Sequence, residues 1–342
     1  VVTTNILGDV VNEIVGDQAD VVTIMPVGAD PHDFQASAQE INRLLNADAL
    51  IVNGAAFEEG LLDVNSTISC PGSFRYGNRS WACHGGHGAA RIDRALQASC
   101  NVFFYKLALK MGIDTYHKWG TKFGFGTRLG VDVPEKPGLL PSHEWYEKKT
   151  AEGFKEVNLV NLGIGQGELA VNPLQMASFT ATIANGGKKI QPHFVSRIKN
   201  KKLDEMQEAV FSYEDLKIKP EHLAIVQKGM HDVVNVPGGT ANHVSIPGLK
   251  IAGKTGTAQN SSGRNHSWFI CYAPYEDPEI AMCVLVENSG YGGTYAAPLA
   301  RQVLNFYFNG VAEEGFTPFE DRIDLPMRAD LPGARPRLFG LW

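Results

Sequence analysis

Long apolar runs are what this 342-residue chain most clearly lacks. No stretch reaches the roughly 20 residues of a membrane-spanning helix, and no signal-peptide pattern is visible. Excess positive charge is missing too. Lys and Arg number 31 against 37 Asp and Glu, giving a net charge of −6 without any basic run. That balance argues against nucleic acid and anionic lipid as partners. Cysteine is scarce: five residues, at 70, 83, 100, 271 and 283, form an odd set that fixes neither a disulfide framework nor a compartment. No internal repeat is evident, and no Gly/Ser- or Pro-rich linker marks residues 61–65, where the composition changes. What remains, 44% apolar and 20% charged, is the make-up of a soluble globular protein with room for two or three domains.

Residues 1–63 alternate strand and helix patterns. VVTTNI, VVTIMPVG and DALIVNG read as strands, while Val10, Val11, Ile14 and Val15 have helical spacing, as do Ile41, Leu44 and Leu45. Such alternation predicts a small α/β fragment with a parallel sheet. Beyond the seam, residues 66–88 read as a Gly- and Cys-rich loop region. Helices are expected over ARIDRALQA, VFFYKLALKMG, DTYHKWGTK, NPLQMASFTATIA, KPEHLAIVQKGMHDVVN and TYAAPLARQVLNFYF. Strands are expected over LKIAGKTGTAQ, HSWFICYAP and EIAMCVLVEN. Helices around an antiparallel sheet make residues 64–310 α+β. The tail, 311–342, is rich in Pro and charge with little periodicity, and is expected to be loosely ordered.

The densest chemistry lies at 249–275, two strands joined by a polar loop. The first carries Lys254-Thr255-Gly256-Thr257: a cation, two hydroxyls, and a glycine that lets a ligand chain lie close to the strand. That set suits docking a carboxylate beside a reacting carbonyl. A lone Lys-Thr-Gly would read better as a solvated edge strand, but Ser99-Cys100-Asn101 stands upstream in the order Ser-x-Asn, then Lys-Thr-Gly. With GIGQGELAVNPLQMA (163–177), VVNVPGGTA (233–241) and WFICYAP (268–274), these motifs resemble the transpeptidase domain of class B penicillin-binding proteins. The resemblance is to the penicillin-binding protein 2 type, which serves cell-wall elongation, and covers about Val64 to Gly310.

The resemblance implies a fold of the penicillin-binding protein/serine β-lactamase kind and a peptidoglycan D,D-transpeptidase activity. Its ligands would be a stem peptide or a β-lactam, and its partners the membrane proteins of an elongation complex. It assigns Ser99 to proton relay and Asn101 to holding the ligand amide. Lys254 would supply positive potential, Thr255 and Thr257 would bind the carboxylate, and the Thr257 N–H would be one oxyanion donor beside Gly256. The family's nucleophile and base, Ser-x-x-Lys on a helix upstream of Ser-x-Asn, are not found. The only such spacing, Ser196 to Lys199, falls after Ser-x-Asn on an expected strand, where the two side chains point to opposite faces. A domain lacking that segment is expected to be catalytically silent, the alternative being an active transpeptidase with an unrecognised nucleophile.

Residues 1–63 resemble the N-terminus of zinc/manganese-type substrate-binding proteins of ABC transporters, with GADPHDFQ as the telling segment. His32 would be the first metal ligand there, but one imidazole cannot hold a metal tightly, and as a lone residue it reads as a surface histidine. The chain therefore looks like a chimera, and a periplasmic metal carrier is the other reading, argued from residues 1–63 alone. Both resemblances imply a periplasmic or extracytoplasmic setting. Cys70, Cys83, His87 and Cys100 form a second candidate, a Cys₃His set of the kind that closes a structural zinc site. Some penicillin-binding protein 2 relatives place a metal at positions matching His87 and Cys100. The alternatives are a Cys70–Cys83 disulfide with Cys100 free, or neither; His84 could also stand in for His87. Cys271 and Cys283, in apolar strands, read as core.

Overall fold

The chain's most apolar strand organises its fold. In the computed structural model, residues 55–195, 197–200, 205–208, 210–259 and 264–310 are described. The expectations for residues 1–54, including His32, for Ser196 and for 311–342 lie outside them. Residues 55–58 are helical, and four short strands follow: β1 (Ile68–Cys70), β2 (Ser73–Tyr76), β3 (Arg79–Ala82) and β4 (Gly88–Ala90). Five helices follow: α1 (Ile92–Gln97), α2 (Asn101–Met111), α3 (Ile113–Lys122), α4 (His143–Lys149) and α5 (Glu156–Leu162). After α6 (Pro173–Ala184) come β5 (Lys188–Ile190), β6 (Arg197–Asn200), β7 (Glu205–Glu208) and β8 (Tyr213–Asp215). The long α7 (Pro220–Asn235) leads to β9 (Ala252–Ala258), β10 (His266–Ala273) and β11 (Ile280–Val286), and α8 (Ala296–Asn309) closes the order.

All eight residues of β10 are buried, as a strand covered on both faces must be. It lies at the centre of an antiparallel sheet in the order β11–β10–β9. Trp268, Ile270 and Tyr272 face the larger core, which takes in Met176, Phe179 and Ile183 of α6. Phe269, Cys271 and Ala273 face a second core with Ala297, Ala300 and Leu304 of α8. Residue type and period thus decide both the strand and its two helical covers, and the expected α+β architecture is the one observed.

Helix α6 starts where it does because Asn172 and Gln175 cap each other and Pro173 takes the first turn, where its missing N–H costs nothing. The buried Gln175 amide also donates to the carbonyls of Gly124, Thr127 and Pro137, tying down the loop after α3. Helix α7 packs against both β9 and α1. Gly229 is what permits that closeness: a Cβ there would lie 2.5 Å from Leu96 Cδ1. The end of α1, and the turn that follows it, are thereby pressed towards β9.

The Gly- and Cys-rich segment is more ordered than a loop. β1 pairs with β4 and β2 with β3, each antiparallel. These strands have three or four residues, too few for an alternation to register. Helices α4 and α5 were likewise not expected; both are seven-residue pieces within the Pro-rich stretch and its sequel. Among the described residues the packed core already includes Ala55, ahead of the seam expected at 63–64. Ala55, Ala56, Phe57 and Leu62 all join the larger cluster. Glu58 accepts from the Lys219 N–H and pairs with His222, 2.7 Å away, while Glu59 accepts from the Trp119 indole at 2.8 Å.

Candidate active site

The Ser-Cys-Asn tripeptide is the hinge between two helices. Helix α1 ends as the Cys100 N–H donates to the Ala95 carbonyl, and Cys100 then serves as N-cap of α2. Ser99 between them has φ = 49°. That left-handed conformation is costly for a residue with a Cβ and is seen where surrounding structure imposes it. The strain places its hydroxyl opposite β9.

Lys254 reaches across to it, with Nζ 2.7 Å from Ser99 Oγ and 2.7 Å from the Thr255 carbonyl oxygen. The lysine is only 9% exposed, and burial pushes its ammonium down to about 8. Desolvation favours the neutral amine, and no carboxylate among the described residues offsets it. On the other face of β9, Thr255 Oγ1 lies 2.8 Å from Thr240 Oγ1, and Thr257 Oγ1 accepts from the Gly292 N–H at 3.3 Å. Gly292 comes so near that a Cβ on it would be 2.3 Å from the Gly256 oxygen. The Thr257 carbonyl accepts from Gln166 Nε2 at 2.9 Å.

Ser99, Lys254, Thr255, Gly256 and Thr257 are thus gathered on and against one strand. Asn101 is not turned towards Lys254: its amide nitrogen lies 3.5 Å from the Ala82 carbonyl oxygen. Thr240 and Gln166 were missed as site residues, although both lie in segments, VVNVPGGTA and GIGQGELA, that carried the family resemblance. Their contacts bridge residues far apart in the chain, which spacing cannot reveal.

The cysteine cluster converges. The ligand atoms of Cys70, Cys83, His87 and Cys100 all lie within 4.8 Å of one another. His87 Nδ1 is 3.5 Å from both Cys70 Sγ and Cys83 Sγ, and Cys83 Sγ is 3.9 Å from Cys100 Sγ. A tetrahedral zinc with Zn–S near 2.3 Å and Zn–N near 2.0 Å has edges of roughly 3.8 and 3.5 Å, which these three separations match. All five cysteines are free, so no disulfide joins Cys70 to Cys83. His87, not His84, completes the set. Burial also lowers His87, keeping its imidazole in the neutral form that ligates metal. Cys271 is buried in β10 and Cys283 lies in β11, partly buried against the core.

An antiparallel sheet with helices on both faces, and a serine–lysine contact at its edge strand, are the features of the penicillin-binding fold class that the motifs led one to expect. Residues 50–305 match the family described as the penicillin binding protein transpeptidase domain, and the chain belongs to it. Peptidoglycan D,D-transpeptidase MrdA of Haemophilus influenzae is 32% identical over 81% of this chain, and 46% of that protein is covered. The Acinetobacter baumannii MrdA is 34% identical over 72% of the chain, with 39% of its own length covered. The chain therefore spans less than half the length of these relatives. A solved structure of Pseudomonas aeruginosa PBP2 in complex with WCK 5153 superposes with a TM-score of 0.69 at 31% identity, covering 82% of this chain and 61% of that one. Helicobacter pylori PBP2 gives a TM-score of 0.67 at 28% identity, over 81% of this chain and 54% of that one. Residues 1–72 also match the family described as zinc-uptake complex component A, periplasmic. No helix among the described residues is long and apolar enough to cross a membrane.

Proposed function

We propose that this chain docks the carboxylate end of a peptidoglycan stem peptide, or of a β-lactam, without forming an acyl-enzyme. The observation that carries the reading is the buried Lys254 held 2.7 Å from Ser99 at the edge of β9, in a chain with no Ser-x-x-Lys upstream of Ser99. Lys254 supplies positive potential, and the Thr255 and Thr257 hydroxyls bind the carboxylate. Ser99 is the proton relay, and Asn101 turns from Ala82 to hold the ligand amide. The Thr257 N–H, one oxyanion donor, has no partner N–H from a nucleophilic serine. Without that serine, binding outlasts chemistry. Titration of the chain with an N-acyl-D-Ala-D-Ala peptide should show saturable heat and a complex that dialysis reverses. Absence of any binding at millimolar peptide contradicts the docking reading.

Zinc at Cys70, Cys83, His87 and Cys100 is part of the same proposal, with a structural role. It would clip β1, the end of β3 and the approach to β4 to the N-terminus of α2, and so hold the Ser99 turn. The two overlapping family matches, 1–72 and 50–305, support an origin in two ancestries. They meet where Ala55 and Phe57 enter the transpeptidase core. An extracytoplasmic location and membrane partners of an elongation complex belong to this reading too. The H. pylori PBP2 solved in complex with MreC, 29% identical to this chain, supports it.

A further inference from the structure

Strand β9 is the edge of its sheet among the described residues, so half of its backbone groups have no strand to pair with. Which half is readable from the carbonyls. Those of Thr255 and Thr257 both accept from side chains, Lys254 Nζ at 2.7 Å and Gln166 Nε2 at 2.9 Å. In an antiparallel ladder a residue turns its N–H and its C=O to the same side. The N–H groups of Thr255 and Thr257 therefore face the open edge as well. At these two residues the edge offers two donors, while both acceptors are held by the chain's own side chains.

An extended peptide that adds to such an edge needs both kinds of group, since its carbonyls take N–H groups and its N–H groups take carbonyls. Lys254 is fixed by burial and by Ser99. Gln166 is held differently. It lies in the turn after α5 between Gly165 and Gly167, whose φ values are 75° and 81°. Its amide is neutral, and the bond it gives Thr257 is one that a peptide N–H can give equally well.

The geometry points to Gln166 as a displaceable cap on the Thr257 carbonyl, which an incoming peptide amide must replace when it pairs with β9. The cap rests on the peptide-docking reading above, and it deepens that reading by naming what the ligand competes with. It makes the edge tolerant of ligands without an amide N–H at that place, because such ligands leave Gln166 where it is. It also keeps the unliganded edge from pairing with another chain.

Calorimetric titration of the whole chain with an N-acyl-D-Ala-D-Ala peptide, and with analogues in which each backbone amide in turn is an ester, tests this. In the wild-type chain, esterifying the amide that meets Thr257 should change affinity less than about twofold, because the peptide N–H gains only what Gln166 gives up. In Gln166→Ala the same change should weaken binding roughly three- to tenfold, since Thr257 then has no other side-chain donor among the described residues. Gln166→Glu keeps the bulk but donates nothing at pH 7, and should behave as the alanine variant does. A purely structural role for Gln166 would lower the affinity of amide and ester together and leave their ratio alone. An amide-to-ester ratio equal in all three chains overturns the cap. Binding of no peptide by any of them removes the docking reading, and the cap with it.

Discussion

Replacing Cys100 by alanine is expected to release one zinc per chain and to lower the unfolding free energy by on the order of 3–5 kcal/mol. Two losses combine. Removing one ligand opens a tetrahedral site whose other members then bind weakly, and a fully buried side chain at the N-cap of α2 is emptied. The metal would join segments that backbone pairing barely holds, because β1 and β4 share only three residue pairs. Elemental analysis of the purified protein reads the metal, and urea unfolding with and without chelator reads the stability. His32→Ala should change neither. A Cys100→Ala protein that keeps one equivalent of zinc contradicts the Cys₃His site, and zinc lost from His32→Ala would favour the carrier reading of residues 1–63.

Lys254 carries the second large effect, and its sign follows from the direction of its shift. Its ammonium ordinarily titrates near 10.4 and is pushed down to about 8 by burial. At pH 7 it is still largely protonated, so a docked carboxylate meets a desolvated cation. As pH rises through about 8 that charge is lost, while the ligand carboxylate is unchanged. Affinity for an acyl-D-Ala-D-Ala peptide should therefore fall on the order of tenfold between pH 7 and about pH 9.5. Lys254→Met should bind at least tenfold more weakly at pH 7 and show a flat profile. The same shift acts oppositely on folding. The cost of burying the charge is fully present below about pH 8, and is relieved as pH climbs towards the unfolded value. A wild-type affinity that is level across this range contradicts the role given to Lys254.

Much of the scaffold is legible in the residues, for local reasons. The run HSWFICYAP announces a strand, and NPLQMASFTATIA announces the helix observed as α6. Ser-x-Asn and Lys-Thr-Gly can be read as one site only through the family resemblance, since Ser99 and Lys254 are 155 residues apart. What stayed hidden is short or long-range. Strands of three residues leave no periodic trace, so 66–88 read as a loop. Gln166 meets Thr257 across 91 residues, with nothing in either segment to predict it. Ala55 and Phe57 lie inside the segment that matches another family, yet they pack in the same core as α6 and β10.

We propose that the carboxylate-docking half of the site is present in this chain and that the nucleophilic half is not. Incubating the purified chain with a fluorescent penicillin, then running a denaturing gel and measuring the intact mass, tests it most directly. The account predicts fluorescence that disappears on denaturation and a protein mass unchanged by the drug. A fluorescent band that survives denaturation, with the mass increased by one penicilloyl group, would contradict it.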